Sequence, residues 1–367
     1  MLRPLLHTCV MATSDGGRQR SPVRRLWIPV RVGALVVVAL VVIAVLVTYR
    51  STSQGAIALP LRKVAAIPLP GTGSRFDYAD LDPVAHRLWL AHLGDSALVE
   101  VDTASRRVVR TVPDMANVTG VIVVPALHRV FASTPGTGQV VTLDEETGAV
   151  LARTPAGAYP DGLTYVPSTG QVWVSDESGG VETVLDASTS SQVATVALGG
   201  EAGNVRYDAA DDRVLVSVQS RNELVVIDPH ARPIQARVQV PGCDHDHGLI
   251  LDQTRAFVAC DGNDTLVVLS LPGLNRLGSL RVGHEPDVLA LDPPRRLLYV
   301  ASESGVVTTI TTATPAGRVT GRDMLGDNAH IVAVDPTTGE AYFPLRTGPR
   351  GIPELLIEGP TRLAAGS

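Results

Sequence analysis

The sequence predicts an all-β protein, a seven-bladed β-propeller of four-stranded blades preceded by one N-terminal transmembrane helix. Three observations predict it. A turn signature recurs every 40 to 44 residues, short β-branched runs fill the intervals, and one uncharged apolar run of eighteen residues precedes the first repeat. A fixed period of about 40–45 residues is what propeller blades give, because each repeat is one supersecondary unit that buries its faces only against its neighbours.

The basic N-terminal segment, residues 1–31, and the residue after the apolar run hold seven arginines against one acid, Asp15. The rest of the chain holds 24 basic and 36 acidic residues. Residues 32–49 are the apolar run; at 1.5 Å per residue a helix of that length spans roughly 27 Å, close to the thickness of a bilayer core. Six arginines precede the run, and only Arg50, Arg62 and Lys63 follow within twenty residues. By the positive-inside rule the tail is cytoplasmic and the body lies outside, anchored in the cytoplasmic membrane by a single pass. A cleaved signal peptide is the rival reading. Ala56-Ile57-Ala58 has the small-residue character of a cleavage site, but it lies well beyond the apolar core, which is long for a signal sequence. Arg24-Arg25 faintly echoes a twin-arginine signal.

A tether, residues 50–61, leads into the repeats, residues 62–358, and residues 359–367 form a C-terminal tail. The turn position falls at Pro83, Pro125, Pro167, Ala209, Gln253, Pro293 and Pro336. Leu81-Asp82-Pro83, Leu291-Asp292-Pro293 and Val334-Asp335-Pro336 show the motif most clearly. Proline fixes φ and the aspartate accepts turn N–H bonds, so these positions are structural. Third strands follow at 98–102, 140–144, 181–186, 224–228, 266–270 and 306–311, and fourth strands at 108–112, 150–153 and 193–196. Such runs between Gly, Pro and Asp turns read as antiparallel strands, and four per unit in seven units make the propeller. The seventh unit has a third strand at 354–357 and no clear fourth, while residues 63–69 form a strand with no unit of their own. We assign residues 63–69 to the seventh blade, which closes the ring and removes two open sheet edges.

Trp173-Val174-Ser175-Asp176, Tyr299-Val300-Ala301-Ser302 and Phe257-Val258-Ala259-Cys260 stand where one propeller family carries its name-giving tetrapeptide. Gly157-Ala158-Tyr159-Pro160-Asp161-Gly162-Leu163 and Gly283-His284-Glu285-Pro286-Asp287-Val288-Leu289 match its strand-opening segment. On these residues the chain resembles the YncE-like propellers with YVTN-type repeats, over roughly residues 62–357. No unit carries the name-giving tetrapeptide itself, and the fourth lacks the turn proline. The resemblance implies a rigid binding scaffold and no particular reaction.

Topology sorts the loops. Residues six before each turn position should ring the mouth of the central channel: Asp77, Thr119, Asp161, Gly203, His247, Asp287 and His330, with His245 flanking. The ligand-binding candidates are therefore Asp77, Asp161, His245, His247, Asp287 and His330. Such a set suits a divalent metal or a cationic ligand. The structural alternative is that polar residues opening inner strands bond neighbouring blades and channel water. The densest ionisable run is Asp244-His245-Asp246-His247, in which His245 and His247, two apart on a strand, would point to one side. Cys243 and Cys260 are a candidate disulfide, since export permits oxidation. A turn near Gln253 pairs Cys260 with His247, so Pro241-Gly242 must bend back for the sulfurs to meet.

Other chemistry is excluded or unsupported. The sole lysine, Lys63, leaves no P-loop, and there is no C-x-x-C, H-E-x-x-H or G-x-S-x-G motif. The acidic body argues against nucleic acid. The expected role is a non-enzymatic binding or scaffold module with a protein or small-molecule partner at the channel-mouth face. The alternative is a metal-dependent propeller enzyme, lactonase- or lyase-like, with its site at that mouth. The anchor reading makes a direct prediction: a C-terminal alkaline phosphatase fusion will be active and a C-terminal green fluorescent protein fusion dark, and the reverse pattern refutes the orientation.

Overall fold

The computed structural model describes residues 55–361. The expected membrane span lies outside these residues; among the described ones no helix is long and apolar enough to cross a membrane. The described chain forms 28 strands in seven four-stranded antiparallel sheets, a seven-bladed β-propeller. Six blades are built from consecutive strands, from Ala79–Asp82 through Arg107–Val112 in the first to Pro286–Asp292 through Arg318–Met324 in the sixth.

Each blade takes its form from one local rule. The inner strand ends in a turn whose aspartate caps the following backbone, as Asp82 does for the N–H groups of Val84 and Ala85 at 2.7 and 3.0 Å. A residue of positive φ then starts the second strand: His86 in the first blade, His128 in the second, Arg296 in the sixth. The second strand lies between two sheet neighbours and under the faces of two adjacent blades, so nearly every one of its residues is buried. Trp89, Phe131, Trp173, Phe257, Tyr299 and Phe343 stand at equivalent places in these strands, all fully buried, with Leu215 taking the place in the fourth blade. Burying one such side chain contributes about 1.5–3 kcal/mol, and they supply the packing between blades.

The seventh blade joins the two ends of the described chain. Its order is Leu61–Pro68, Glu354–Pro360, Ala341–Leu345 and Ala333–Val334, from outside in. Leu61 pairs with Pro360 and Pro68 with Glu354, with one bulge between Lys63 and Ala65. Just upstream, Ile57 bridges Arg322 on the outer strand of the sixth blade, exchanging two backbone hydrogen bonds of 2.8 and 2.7 Å. One N-terminal strap therefore ties two blades together across the point of closure.

Cys243 and Cys260 form a disulfide with Cα atoms 5.3 Å apart. The register differs from the sequence expectation. Leu249 pairs with Val258, but a bulge shifts the ladder so that Asp246, not His247, stands opposite Cys260. Gly242 at φ +86° and His245 at φ +59° fold the approach back over the strand end, bringing Cys243 within reach. A covalent loop of this length stabilises by about 3 kcal/mol on the chain-entropy account.

Ring closure predicts different fates for two truncations. Removing residues 1–54 will leave a propeller that melts cooperatively. Removing residues 1–68 strips the outer strand of the seventh blade and will abolish the cooperative melt or aggregate the protein. Calorimetry on both shows it; matching melts would mean that the closing strand contributes little.

Candidate functional site

The channel mouth is shaped by irregularity at the start of the inner strands. In blades three to six the pairing slips after the first residue: between Pro160 and Leu163, Ala202 and Val205, Asp246 and Leu249, and Pro286 and Leu289. Each slip is a β-bulge, which bends the strand and re-aims its side chains. Asp161, Gly203, His247 and Asp287 are bulge residues. Glycine permits the bulges to crowd together. A Cβ on Gly120 would stand 2.1 Å from the carbonyl oxygen of Asp161, and one on Gly248 would stand 2.2 Å from that of Asp287.

The bulges bring Asp77, Asp161, His247 and Asp287 to one cavity of about 530 Å³, with Arg75, Tyr78, Glu177, Gln219 and Glu303 also lining it. His330 sits behind this wall, fully buried. Two of the seven ring positions contribute no side chain. Thr119 spends its hydroxyl on Ser133 and the Pro160 carbonyl, and Gly203 has none to offer. His245 also reaches the cavity, but from the rim and off the strand, which begins at Asp246. Its Nδ1 pairs with the Asp261 carboxylate at 2.7 Å. The expectation of two histidines alternating along one strand is therefore corrected: His245 is placed by a left-handed turn residue, His247 by a bulge.

His247 is the centre of the polar network. Gln219 donates through Nε2 to Glu177 at 3.2 Å and to the Ala202 carbonyl at 3.0 Å. That leaves its Oε1 to accept from His247 Nδ1–H at 2.9 Å. His247 Nε2 faces Asp287 Oδ1 at 3.3 Å and the Tyr78 hydroxyl at 3.3 Å. Asn204 donates to that same hydroxyl at 2.7 Å. Burial works to lower the His247 pKa, but Asp287, with Asp161 and Glu177 behind it, raises it to about 10. The imidazole is thus a cation at neutral pH, donating from both nitrogens. Burial works against ionised Asp287, yet His247, His330 and Arg75 hold its carboxyl below the usual range. At Asp161 burial and the neighbouring Asp77 charge outweigh the attraction of His247 and a Thr119 hydrogen bond, and push the carboxyl up to about 7. Burial likewise raises Glu177.

Arg75 bridges the acids of two blades, 2.6 Å from Glu303, 3.5 Å from Asp77 and 4.0 Å from Asp287. Seven acids line the cavity against one arginine and one charged histidine, so the mouth is acidic even with Asp161 pushed up to about 7. The neighbouring loop residues serve the scaffold. Asp176 takes the N–H groups of Ala158, Tyr159 and Gly179, Arg221 bonds the Gly199 carbonyl, and His92 stacks on Phe76 at 4.0 Å. Tyr78, Tyr159 and Gln219 belong to the site but stood outside the sequence ring. Tyr78 follows Asp77, and a strict period of two assigns it to the other face.

The propeller is also the fold of a solved chain of Kuenenia stuttgartiensis hydrazine synthase, which is similar with a TM-score of 0.65 over 76% of this chain and 94% of that one. At 13% identity that likeness shows the fold alone. No protein-family model matches the chain, and no curated protein does.

The His247 network predicts a pH dependence. A histidine whose folded pKa is raised stabilises fully below its unfolded value, near pH 6.5, and loses that contribution as pH rises through about 10. The melting-temperature advantage of wild type over His247→Gln will therefore be largest near pH 6 and shrink toward pH 10. An advantage that grows with pH would mean that the folded protein holds this imidazole neutral.

Proposed function

We propose that this chain is a membrane-anchored, extracytoplasmic binding propeller of the YncE-like, YVTN-repeat kind, and that its channel mouth receives a small cationic ligand. The observation that carries this reading is the charge of the cavity, seven acids against one arginine and one charged histidine in about 530 Å³. A concave site with convergent polar groups is where a scaffold of this kind binds. Low-dielectric walls strengthen the attraction of a cation to such a cluster. The Cys243–Cys260 bond supports an oxidising compartment, since such bonds persist outside the cytoplasm. The arginine asymmetry around residues 32–49 supports the anchor.

The binding role is preferred over an enzymatic one on the geometry. The charged groups of the mouth pair with one another and with amides, and the imidazole beside the Tyr78 hydroxyl is held as a cation, which offers that hydroxyl no base.

The test is calorimetric titration of the full chain in detergent with putrescine and spermidine, and with succinate as the anionic control. The amines will bind and succinate will not. Neutralising a rim acid, Glu177→Gln or Asp261→Asn, will weaken amine binding by about fivefold, equivalent to about 1 kcal/mol for a partly solvated charge pair. Preference for succinate, or amine binding indifferent to both substitutions, overturns the reading.

A further inference from the structure

We propose that the inner wall of the channel mouth is a divalent metal site, with Asp77, Asp287 and His330 as its protein ligands. The proposal rests on reading the mouth as a cation site and names one cation class for it.

Three blades supply the ligands: Asp77 from the first, Asp287 from the sixth and His330 from the seventh. One ligand atom from each lies within 4.8 Å of the other two, and all three residues are buried. His330 Nε2 stands 3.9 Å from Asp77 Oδ1 and 3.9 Å from Asp287 Oδ2. That is too long for a hydrogen bond. It is a few tenths of an ångström wider than the ~3.4 Å edge of a tetrahedron of 2.1 Å metal–ligand bonds.

The histidine supplies the independent observation. Its ring is fully buried, and Nε2 has no hydrogen-bond partner among the described residues. An orphaned buried polar atom is costly, so its persistence calls for a partner. The other ring nitrogen shows which partner. Nδ1 lies 3.1 Å from the Asn328 carbonyl, which can only accept, so Nδ1 carries the proton. With Nε2 deprotonated its lone pair faces the two carboxylates, and a divalent cation in place of that proton is held by all three groups. Metal-ligating histidines commonly donate their second N–H to a backbone carbonyl in this way. Glu303, which accepts from Asn328 Nδ2 at 3.1 Å, steadies the segment that carries the ring.

Arg75 does not fill this role. Its short contact is with Glu303, and it approaches both aspartates at longer range. His247 occupies the other oxygen of Asp287. The oxygens of Asp77 and Asp287 that face His330 are also the ones nearest Arg75, so the guanidinium borders the site. One imidazole and two carboxylates suit Zn²⁺ or Mn²⁺, and three protein ligands leave further coordination positions for water or a ligand from the mouth.

The test strips the untagged full chain in detergent with EDTA and titrates it with MnCl₂, reading free Mn²⁺ by electron paramagnetic resonance, with ZnCl₂ as competitor. Expected are one site per chain, displacement by Zn²⁺, and at least a tenfold loss of affinity in His330→Gln, with His230→Gln, an exposed histidine outside the mouth, unchanged. Because His330→Gln removes a buried group and can disturb the fold, the wild-type complex is also examined by pulsed resonance for coupling to a directly bound imidazole nitrogen. Absence of a stoichiometric site, or absence of that nitrogen coupling, overturns the proposal, as does equal affinity in a folded His330→Gln. In the latter cases the ion sits elsewhere or His330 carries only a proton. Amine binding with no metal sinks this inference and leaves the cationic-ligand reading intact. Metal binding with no amine binding sustains the site and removes the amine.

Discussion

The close approach of the inner strands at one end of the ring is the constraint on which the site depends. At Gly120 and Gly248 the carbonyl of a bulge residue in the next blade occupies the place a Cβ would need. A substitution there would push two blades apart at the narrowest point of the propeller. The bulges also turn Asp161, His247 and Asp287 away from strand alternation and toward the axis. Charged side chains from different blades thus share one volume because the backbones that carry them cannot separate.

That crowding sets the electrostatics. Burial and like charges raise a carboxyl's pKa, and cations beside it lower it. The mouth shows both outcomes: Asp161 is pushed up, whereas Asp287, held between His247, His330 and Arg75, is pushed down. Gln219 fixes the orientation of His247 by spending both its donors on Glu177 and the Ala202 carbonyl, so that only its oxygen faces the imidazole. Tyr78 lines both the mouth and the narrower cavity along the axis, where Arg206 and Asp80 lie. The mouth is therefore a polar chamber with a defined floor.

The legibility of the fold and of the site in the sequence differ for a physical reason. The blade period is carried by turn chemistry, and Asp82-Pro83 or Asp292-Pro293 make the same local turn whatever surrounds them. The edge left open by a three-stranded last blade calls for one more strand, and residues 63–69 offer it in the sequence, where the structure has Leu61–Pro68. The mouth depends on register. Placing side chains six residues before each turn assumes an unbroken ladder, and that suffices to locate Asp77 or Asp287 along the axis. It fails where the bulge inserts a residue: Cys260 meets Asp246 in place of His247, and Tyr78 enters the site beside Asp77. His245 escapes the same logic because it is itself a left-handed residue, just before the strand begins at Asp246. Gln219 is invisible to any rule of period, since it lies in the short 3-10 turn Gln219–Arg221 and reaches the mouth by its length.

A cluster of buried charges is weak as a source of stability, because desolvation offsets most of the attraction within each pair. The propeller's stability comes instead from its second strands, whose aromatic side chains are buried blade against blade. Closure by Leu61–Pro68 leaves the seventh sheet with the same four strands as the rest. A ring held from its middle layer can tolerate strain and unpaired polar atoms at its axis. His330 Nε2, buried and without a hydrogen-bond partner among the described residues, is such an atom. Others, such as Trp89 Nε1 and Trp173 Nε1, lie in the packed layers between blades. What sets His330 Nε2 apart is that it faces two carboxylates from other blades, where packing does not require a polar group.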